Sequence, residues 1–184
     1  MEHKFEGSYK NIKLVPLKHE NLELLREWRN DVNDSKFLRH IGHITKEMQE
    51  KWYKDYLTDK DSYVFAIYEM EKLNRLIGSV SLYNFRGDIA EIGKIQIGDK
   101  EARGIGAGKI TLVIACKIGF ELMNLKIIDG HVHKDNIAAY KSDMAVGFKV
   151  IKESLTAEDY IQMTYEDLKK ANSYVDEVEV TINE

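Results

Sequence analysis

The chain has 184 residues, of which 43% are hydrophobic, and its formal net charge at pH 7 is −4. This length suits one domain with a complete core, and the charge excludes the overall basic field of a nucleic-acid-binding protein. The one cysteine, Cys116, excludes an internal disulfide and suits a reducing compartment, and the sequence shows neither a membrane-spanning apolar run nor a signal peptide. We therefore predict a single cytoplasmic domain over residues 1–184, without nucleic-acid or membrane partners.

The N-terminal half predicts a strand, two helices and three further strands. Apolar residues recur at helical spacing over 19–29 and again over 46–57, where Thr45 is a suitable N-cap and Trp52, Tyr56 and Leu57 form the predicted apolar face. Polar turns separate the later strands and favour hairpins. The predicted strands are residues 11–17, 63–68, 76–85 and 89–97.

A glycine-rich loop at residues 103–108 follows the strand 89–97 and precedes a long apolar helix. Alternate glycines allow a tight turn with accessible N–H groups, and the helix N-terminus adds partial positive charge, so a phosphate or pyrophosphate fits there. A Walker A loop is excluded because Ile110 follows Gly108 and Lys109. The spacing also departs from the dinucleotide fingerprint, whose third glycine would fall one place later than Gly108.

The C-terminal half alternates helices and strands. A helix is predicted over 110–123, with Leu112, Val113, Cys116 and Phe120 near one face, and a shorter one over 136–145. Strands are predicted at 127–133, 148–154 and 160–165, and residues 166–184 form an extension with a charged helical fragment and an alternating stretch. This order of elements implies a mixed α/β sheet with helices on both faces.

An ordered set of motifs identifies a family resemblance over about residues 78–150. Arg-x-x-Gly-x-Gly is followed by the helix, by Asn124-Leu125-Lys126, by a strand, by Asn136 with Ala139, and by Gly147-Phe148. This segment resembles the acetyl-CoA-binding half of the GCN5-related N-acetyltransferases, the GNAT superfamily. Upstream, Trp28-Arg29-Asn30 and the segment 90–93 resemble the branch that contains ribosomal-protein N-terminal, spermidine and pseudaminic-pathway amino-sugar acetyltransferases.

The resemblance implies a single-domain α/β (α+β) fold with a mostly antiparallel, twisted sheet whose central strands splay apart. The pantetheine arm of acetyl-CoA would enter that gap and pair with the backbone of Ile95 and Ile97. Asn136 would bond the cofactor or cap its helix; both roles stay open. The predicted pyrophosphate site consists of Arg103, Gly104, Ile105, Gly106, Ala107, Gly108 and Lys109, with ordinary surface roles as the alternatives for Arg103 and Lys109.

The catalytic candidates are Glu91 and Tyr140. Glu91 stands where the family often carries an acid and would accept the amine proton; the alternative is a surface glutamate paired with Lys or Arg. The family's usual tyrosine, seven residues after the asparagine, is replaced by Asp143, which would repel a leaving thiolate unless burial raised its pKa strongly. Tyr140, one turn earlier, is the candidate proton donor, with solvent or no dedicated acid as the alternative.

Trp28, Arg29, Asn30 and His43 are predicted on the substrate side, with a core role as the alternative for Trp28. His131 and His133 share one strand face, but no Cys, Asp or Glu cluster completes a ligand set, so we predict no metal. Cys116 is expected to be buried packing.

These features predict an acetyl-CoA-dependent N-acetyltransferase that transfers directly to a primary amine in a ternary complex. The acceptor is predicted to be a small molecule, an amino-sugar nucleotide or a polyamine, since acidic residues suit a cation whereas Arg29, Lys36 and Arg39 suit a phosphate. The alternatives are a protein N-terminal acetyltransferase, a non-catalytic acyl-CoA-binding module, because of Asp143, and an interaction subunit whose residues 178–182 add a strand to a partner sheet. A homodimer is left open.

Overall fold

A computed structural model describes residues 3–33, 35–38, 42–153, 155 and 157–183, so Arg39 lies outside the described residues. None of the helices within these ranges has the length and apolar composition needed to cross a membrane. The helices are α1 (Leu22–Asn30), α2 (Lys46–Thr58), α3 (Ala107–Lys117), α4 (Ile137–Val146) and α5 (Tyr165–Ala171). The strands are β1 (Phe5–Tyr9), β2 (Ile12–Pro16), β3 (Ser62–Glu69), β4 (Arg75–Arg86), β5 (Ile89–Ile97), β6 (Ile127–His133), β7 (Lys149–Lys152), β8 (Glu158–Thr164) and β9 (Glu179–Ile182).

Within the described ranges, all of these strands join one sheet in the order β7-β8-β6-β5-β4-β3-β2-β1-β9. β5 and β6 are parallel, and every other neighbouring pair is antiparallel. The mixed, mostly antiparallel sheet predicted from the sequence is therefore confirmed.

Helices cover both faces of the sheet because successive side chains of the central strands point in opposite directions. Phe65 and Ile67 of β3 are fully buried in a core that includes the apolar residues of α3. Val64 and Ala66, which alternate with them, lie in a second core with residues of α1 and α2. The two faces of one sheet thus carry separate cores, and the predicted placement of helices on both sides is confirmed.

The predicted apolar face of α2 is correct for Tyr56 and wrong for Trp52 and Leu57. Tyr53 and Tyr56 are the buried residues, at 7% and 4% exposure, whereas Trp52 and Leu57 are 42% and 36% exposed. Because aromatic residues occur at 52, 53 and 56, the periodicity allows two faces, and packing against α1 and the sheet selects the tyrosine pair. Trp52 is left facing a cavity, described below.

The C-terminal stretch completes this chain's own sheet. β9 pairs antiparallel with β1, with Gly7 opposite Val180 and Phe5 opposite Ile182. The buried ammonium of Lys117 donates hydrogen bonds to the carbonyls of Val175 (2.8 Å) and Val178 (2.9 Å), which fixes the approach to β9. The strand that the interaction-subunit alternative offered to a partner is therefore paired along one edge within the chain, as the last strand of the sheet.

Candidate active site

The two parallel central strands separate soon after they meet. β5 and β6 pair at Glu91 opposite Asp129 and at the two preceding positions, although β5 continues to Ile97 and β6 to His133. Beyond Glu91, the edge of β5 that faces β6 has no ladder partner from β6 among the described residues. Backbone N–H and C=O groups require partners, so this gap suits an extended ligand that carries amide groups.

A β-bulge lies within the separated part of β5. Ser79 pairs with Gln96 and Ser81 with Gly93, so Val80 on β4 faces two residues of β5, Lys94 and Ile95. Lys94 has a positive φ of 52°. Such a bulge bends a strand and redirects its side chains, and bulges are common beside active sites.

The glycine loop lies beyond the open end of β5 and begins α3. Gly104 and Gly106 have φ values of 76° and 83°, and Gly106 is the N-cap of the helix. A Cβ placed at Gly104, Gly106 or Gly108 would meet no atom within 4 Å, so the loop borders open space. Arg103 donates hydrogen bonds to the carbonyls of Ile97 and Gly98, both at 3.1 Å, and so ties the loop to the end of β5. The arrangement presents a helix N-terminus beside the strand gap, as an anion site requires.

Asn136 acts as a helix cap. Its Oδ1 accepts a hydrogen bond from the backbone N–H of Ala139 at 3.2 Å, at the start of α4. The cap is thus one of the two roles left open for this residue, and the bond to the cofactor stays a prediction.

Glu91 borders a cavity of about 1200 Å³ between α1, α2 and the strands β4 and β5. Its carboxylate accepts a 2.6 Å hydrogen bond from the hydroxyl of Tyr83, which stands directly opposite on β4, and one of 3.3 Å from Asn84. Nδ1 of His131 lies 3.6 Å away, and the Glu91 side chain is 16% exposed. The partners are thus a phenol, an amide and an imidazole rather than the surface Lys or Arg of the alternative interpretation.

Tyr83 holds Glu91 as a hydrogen-bond donor. Burial and the neighbouring carboxylate of Glu91 both raise the pKa of the Tyr83 phenol above its ordinary value, so the hydroxyl keeps its proton. Gly93 makes room for the ring, because a Cβ there would lie 3.0 Å from the Tyr83 hydroxyl oxygen.

Of the predicted substrate-side residues, Arg29 lines this cavity, and burial lowers the pKa of its guanidinium. The indole of Trp28 instead packs on Gly98, where a Cβ would lie 2.0 Å from the ring, and borders a smaller cavity of about 480 Å³. Asn30 donates to the carbonyl of Ile44 and accepts from its N–H, which fastens the segment between α1 and α2.

His43 is exposed and lies outside the residues that line the large cavity. Consecutive helix residues differ by about 100° in direction, so residues 28, 29 and 30 cannot all face one cavity.

Several residues that line this cavity were not predicted from the sequence. Ser79, Ser81 and Tyr83 alternate along β4 and all face it, so strand periodicity carried a usable signal. The ammonium of Lys94 lies 4.0 Å from the ring centroid of Tyr83, and partial desolvation lowers its pKa. Trp52 lines the opposite side.

The cavity has more acidic than basic side chains. The lining residues include five carboxylates and three cations, and Lys51 is already paired with Asp55 at 2.6 Å. The carboxylates belong to Asp55, Asp59, Asp61, Glu91 and Glu158; the cations belong to Arg29, Lys51 and Lys94. Such a lining attracts a cationic ligand in preference to an anionic one. Across the described residues, no group of three or more His, Cys, Asp or Glu side chains is arranged to hold a metal ion.

Asp143 and Tyr140 lie on α4, which packs against α3 and β6. Asp143 is 9% exposed, and burial raises its pKa to about 7. Tyr140 donates a 3.4 Å hydrogen bond to Asp159, and burial together with that carboxylate raises the pKa of the phenol. Asp143 therefore keeps its proton to a higher pH than an ordinary carboxyl does. A protonated carboxyl carries no charge, so it would not repel a leaving thiolate.

Comparison with known proteins shows the family of this chain. The family model described as an acetyltransferase (GNAT) domain matches residues 11–149. The acetyltransferase PseH of Campylobacter jejuni is 25% identical over 125 residues, which cover 68% of this chain and 74% of that protein.

Solved structures share the fold at lower identity. A spermidine N-acetyltransferase from Vibrio cholerae, in complex with CoA and spermine, superimposes with a TM-score of 0.74 at 20% identity, over 86% of this chain and 98% of that one. A nucleotide-linked sugar GNAT, FdhC, gives 0.77 at 17% identity, over 96% of each chain. Because the family model covers most of the chain, the protein belongs to the GNAT acetyltransferase family and is an acetyl-CoA-dependent N-acetyltransferase.

Proposed function

We propose that this enzyme acetylates a small-molecule primary amine by direct transfer within a ternary complex. The observation that carries the proposal is Glu91, held by Tyr83 at 2.6 Å where β5 leaves β6 and facing a cavity of about 1200 Å³. A carboxylate fixed in a partly closed cavity can accept the proton of an incoming ammonium.

The cofactor would bind along the strand gap and the glycine loop. The open edge of β5 at Ile95 and Ile97 offers backbone groups to the pantetheine arm, and the unobstructed N–H groups of residues 104–108 suit the pyrophosphate. Arg103 and Lys109 would add positive charge to that site. Acetyl-CoA supplies the activated acetyl group, and β5 supplies backbone N–H groups for the developing oxyanion.

For the acid that protonates the departing thiolate, two residues of α4 compete. Tyr140 is the proton donor predicted from the sequence, and its hydroxyl donates a hydrogen bond to Asp159. Asp143 occupies the position of the family's usual tyrosine, and burial raises its pKa to about 7, so about half of the molecules carry this proton at neutral pH. A buried, protonated carboxyl can act as an acid. Tyr140→Phe and Asp143→Asn separate the two, since only loss of the true acid lowers turnover at saturating substrate.

The acceptor class follows from the charge of the cavity. Five carboxylates against three cations favour an amine with several positive charges, such as a polyamine, over a protein N-terminus, whose amino group carries one. The Vibrio cholerae relative was solved with spermine, which supports this class. Arg29 keeps an amino-sugar nucleotide as the second candidate, because a guanidinium offers donors to a phosphate.

The decisive experiment measures thiol release from acetyl-CoA in the presence of polyamines, amino-sugar nucleotides and an N-terminal peptide. We expect amine-dependent release with a small molecule and little release with the peptide. Glu91→Gln should lower kcat by about 10²-fold or more, whereas Glu166→Gln, an exposed position on α5, should match the wild type. Release that is equally fast in Glu91→Gln would contradict the assignment of the base.

A further inference from the structure

A lysine of the enzyme itself lies in the amine-binding cavity. Lys94 is the bulged residue of β5, with a φ of 52°, at the part of the strand that has separated from β6. Its side chain lines the same cavity as Glu91, and its ammonium stands 4.0 Å from the ring centroid of Tyr83. The chain therefore presents a primary amine of its own in the space proposed for the substrate amine.

The surroundings of Lys94 suit a nucleophile. Tyr83, beneath the ammonium, donates its hydroxyl to Glu91 at 2.6 Å, so amine, ring and carboxylate form one contiguous group. Desolvation is the largest influence on the pKa of Lys94 and lowers it; Arg29 acts in the same direction, while Glu91 and Asp59 oppose it. A lowered pKa increases the fraction of neutral amine at a given pH, and only the neutral form attacks a carbonyl.

We propose that Lys94 is an internal acetyl acceptor, which takes the acetyl group from acetyl-CoA bound to the same chain when the amine substrate is absent. This inference rests on the proposed function. The lone pair of Lys94 Nζ forms a bond to the thioester carbonyl carbon, and the carbon–sulfur bond breaks. The proton lost from nitrogen goes to Glu91 or water, and the thiolate of CoA takes up a proton. The products are an N-acetyl-lysine amide and CoA.

Acetylation at this position would restrain the enzyme. The modified side chain is longer and uncharged, remains in the cavity, and loses its cationic contact with Tyr83. Substrate amines would then compete with Lys94 for the same acetyl group. Scarcity of substrate would lead to a less active, acetylated enzyme.

Lys51 provides a matched comparison within the same cavity. Its ammonium is paired with Asp55 at 2.6 Å, and its side chain is 76% exposed. This i,i+4 ion pair holds the ammonium of Lys51 along the surface of α2. Solvent-driven chemical acetylation would favour the exposed Lys51, whereas acetylation from the bound cofactor would favour Lys94.

The test incubates purified wild-type protein with acetyl-CoA and no amine, and follows acetyl occupancy at each lysine by peptide mass spectrometry. We expect Lys94 to be modified at least about tenfold faster than Lys51, at a rate independent of protein concentration, as an intramolecular reaction requires. Gly106→Trp, which would fill the proposed pyrophosphate loop, should slow modification of Lys94 and leave that of Lys51 unchanged. After preincubation with acetyl-CoA, wild type should lose turnover relative to its own untreated sample, and Lys94→Arg should not.

Three results would overturn the inference. Equal rates at Lys94 and Lys51, or a rate at Lys94 that persists in Gly106→Trp, would show ordinary chemical acetylation. If Lys94 stayed unmodified in acetyl-CoA without amine, while the same enzyme acetylated an added amine briskly, the inference would be removed and the proposed function would stand. Failure of the proposed function is distinguishable, because it would appear as absence of amine-dependent thiol release.

Discussion

At the scale of single residues, the contact between Tyr83 and Glu91 is the most informative feature of the site. The two residues are eight apart in sequence and directly opposite on β4 and β5, so one tight hairpin brings them together. The sequence predicted Glu91 as the catalytic base from its place on the strand. It did not predict Tyr83 as the partner, because it does not specify which of several aromatic side chains contacts the carboxylate.

The hydroxyl of Tyr83 should orient the carboxylate without reacting itself. Tyr83→Phe keeps the ring beneath Lys94 and removes the 2.6 Å hydrogen bond. We expect a fall in kcat of about tenfold, close to the worth of one charge-assisted hydrogen bond and smaller than the fall in Glu91→Gln. Steady-state kinetics measures both. An effect of Tyr83→Phe as large as that of Glu91→Gln would mean that the phenol takes part in proton transfer.

Asp143 should make stability depend on pH. An ordinary aspartate has a pKa of 3.8, and burial raises the pKa of Asp143 to about 7 in the folded protein. The folded state therefore binds more protons than the unfolded state between these values, and the free energy of unfolding falls as pH rises from about 4 to about 7. Asp143→Asn removes this loss and should be the more stable protein at pH 8, by up to about 4 kcal/mol. Denaturant unfolding at pH 5 and pH 8 measures the difference.

Asp135→Asn is the control for this experiment. Its carboxyl is 82% exposed on the segment that precedes α4, so the substitution should leave the pH dependence as it is in the wild type. Burial lowers the pKa of His3 to about 4, which adds an opposite pH dependence to wild type and variant alike. A stability difference between wild type and Asp143→Asn that does not change between pH 5 and pH 8 would therefore contradict the raised pKa of Asp143. The sequence revealed that the usual tyrosine is replaced, but the burial that changes the chemistry of the carboxyl depends on how α4 packs on α3 and β6.

At the scale of elements, the glycine loop and α3 form one continuous segment, and its sequence strongly predicts a turn followed by a helix. Gly106, with a φ of 83°, is the N-cap of the helix, and Arg103 ties the loop to the carbonyls that end β5. The sequence predicted the loop correctly but began the helix a few residues late. Helix boundaries depend on cap geometry, which hydrophobic periodicity does not resolve.

Substitutions at two glycines should distinguish an effect on acetyl-CoA binding from an effect on the stability of the fold. Gly106→Ala places a side chain in left-handed backbone and should cost about 1 kcal/mol of stability, and in addition it should weaken acetyl-CoA binding. Gly87→Ala is the matched control, because Gly87 has a φ of 68° and also borders open space, but lies in the β4–β5 turn. Calorimetric titration with acetyl-CoA should show weaker binding in Gly106→Ala alone. Equal affinity in the two variants would remove the loop from the cofactor site.

At the scale of the whole molecule, the C-terminal extension closes one end of the sheet. β9 covers the edge of β1, and Lys117 holds the approach to it through the carbonyls of Val175 and Val178. The alternation in residues 178–182 indicated a strand, but its partner came from the opposite end of the chain. The sequence did not predict β1. The strand has five residues and its one buried residue is Gly7, so it shows no alternation of apolar and polar side chains.

Truncation after Lys170 should therefore destabilise the domain. It removes β9 and leaves the edge of β1 and the ammonium of Lys117 without these partners, and unsatisfied buried groups cost about 1–3 kcal/mol each. We expect a lower Tm and a tendency to associate through the exposed edge, measured by thermal unfolding and light scattering. An unchanged Tm would show that the extension contributes little to the fold. Light scattering of the intact chain tests the homodimer, which, like the cytoplasmic location, stays a prediction.

The sequence by itself determined the features that depend on neighbouring residues. The N-caps Thr45 and Asn136, the glycine loop, and the strands of the central sheet follow from local propensity and periodicity, which need no knowledge of distant partners. Their order then identified the family. Only the tertiary structure decided which side chains meet. It directed Arg29 into the cavity and Trp28 onto Gly98, placed Lys94 over Tyr83, and buried Asp143, because the direction and desolvation of a side chain depend on elements that are distant in sequence.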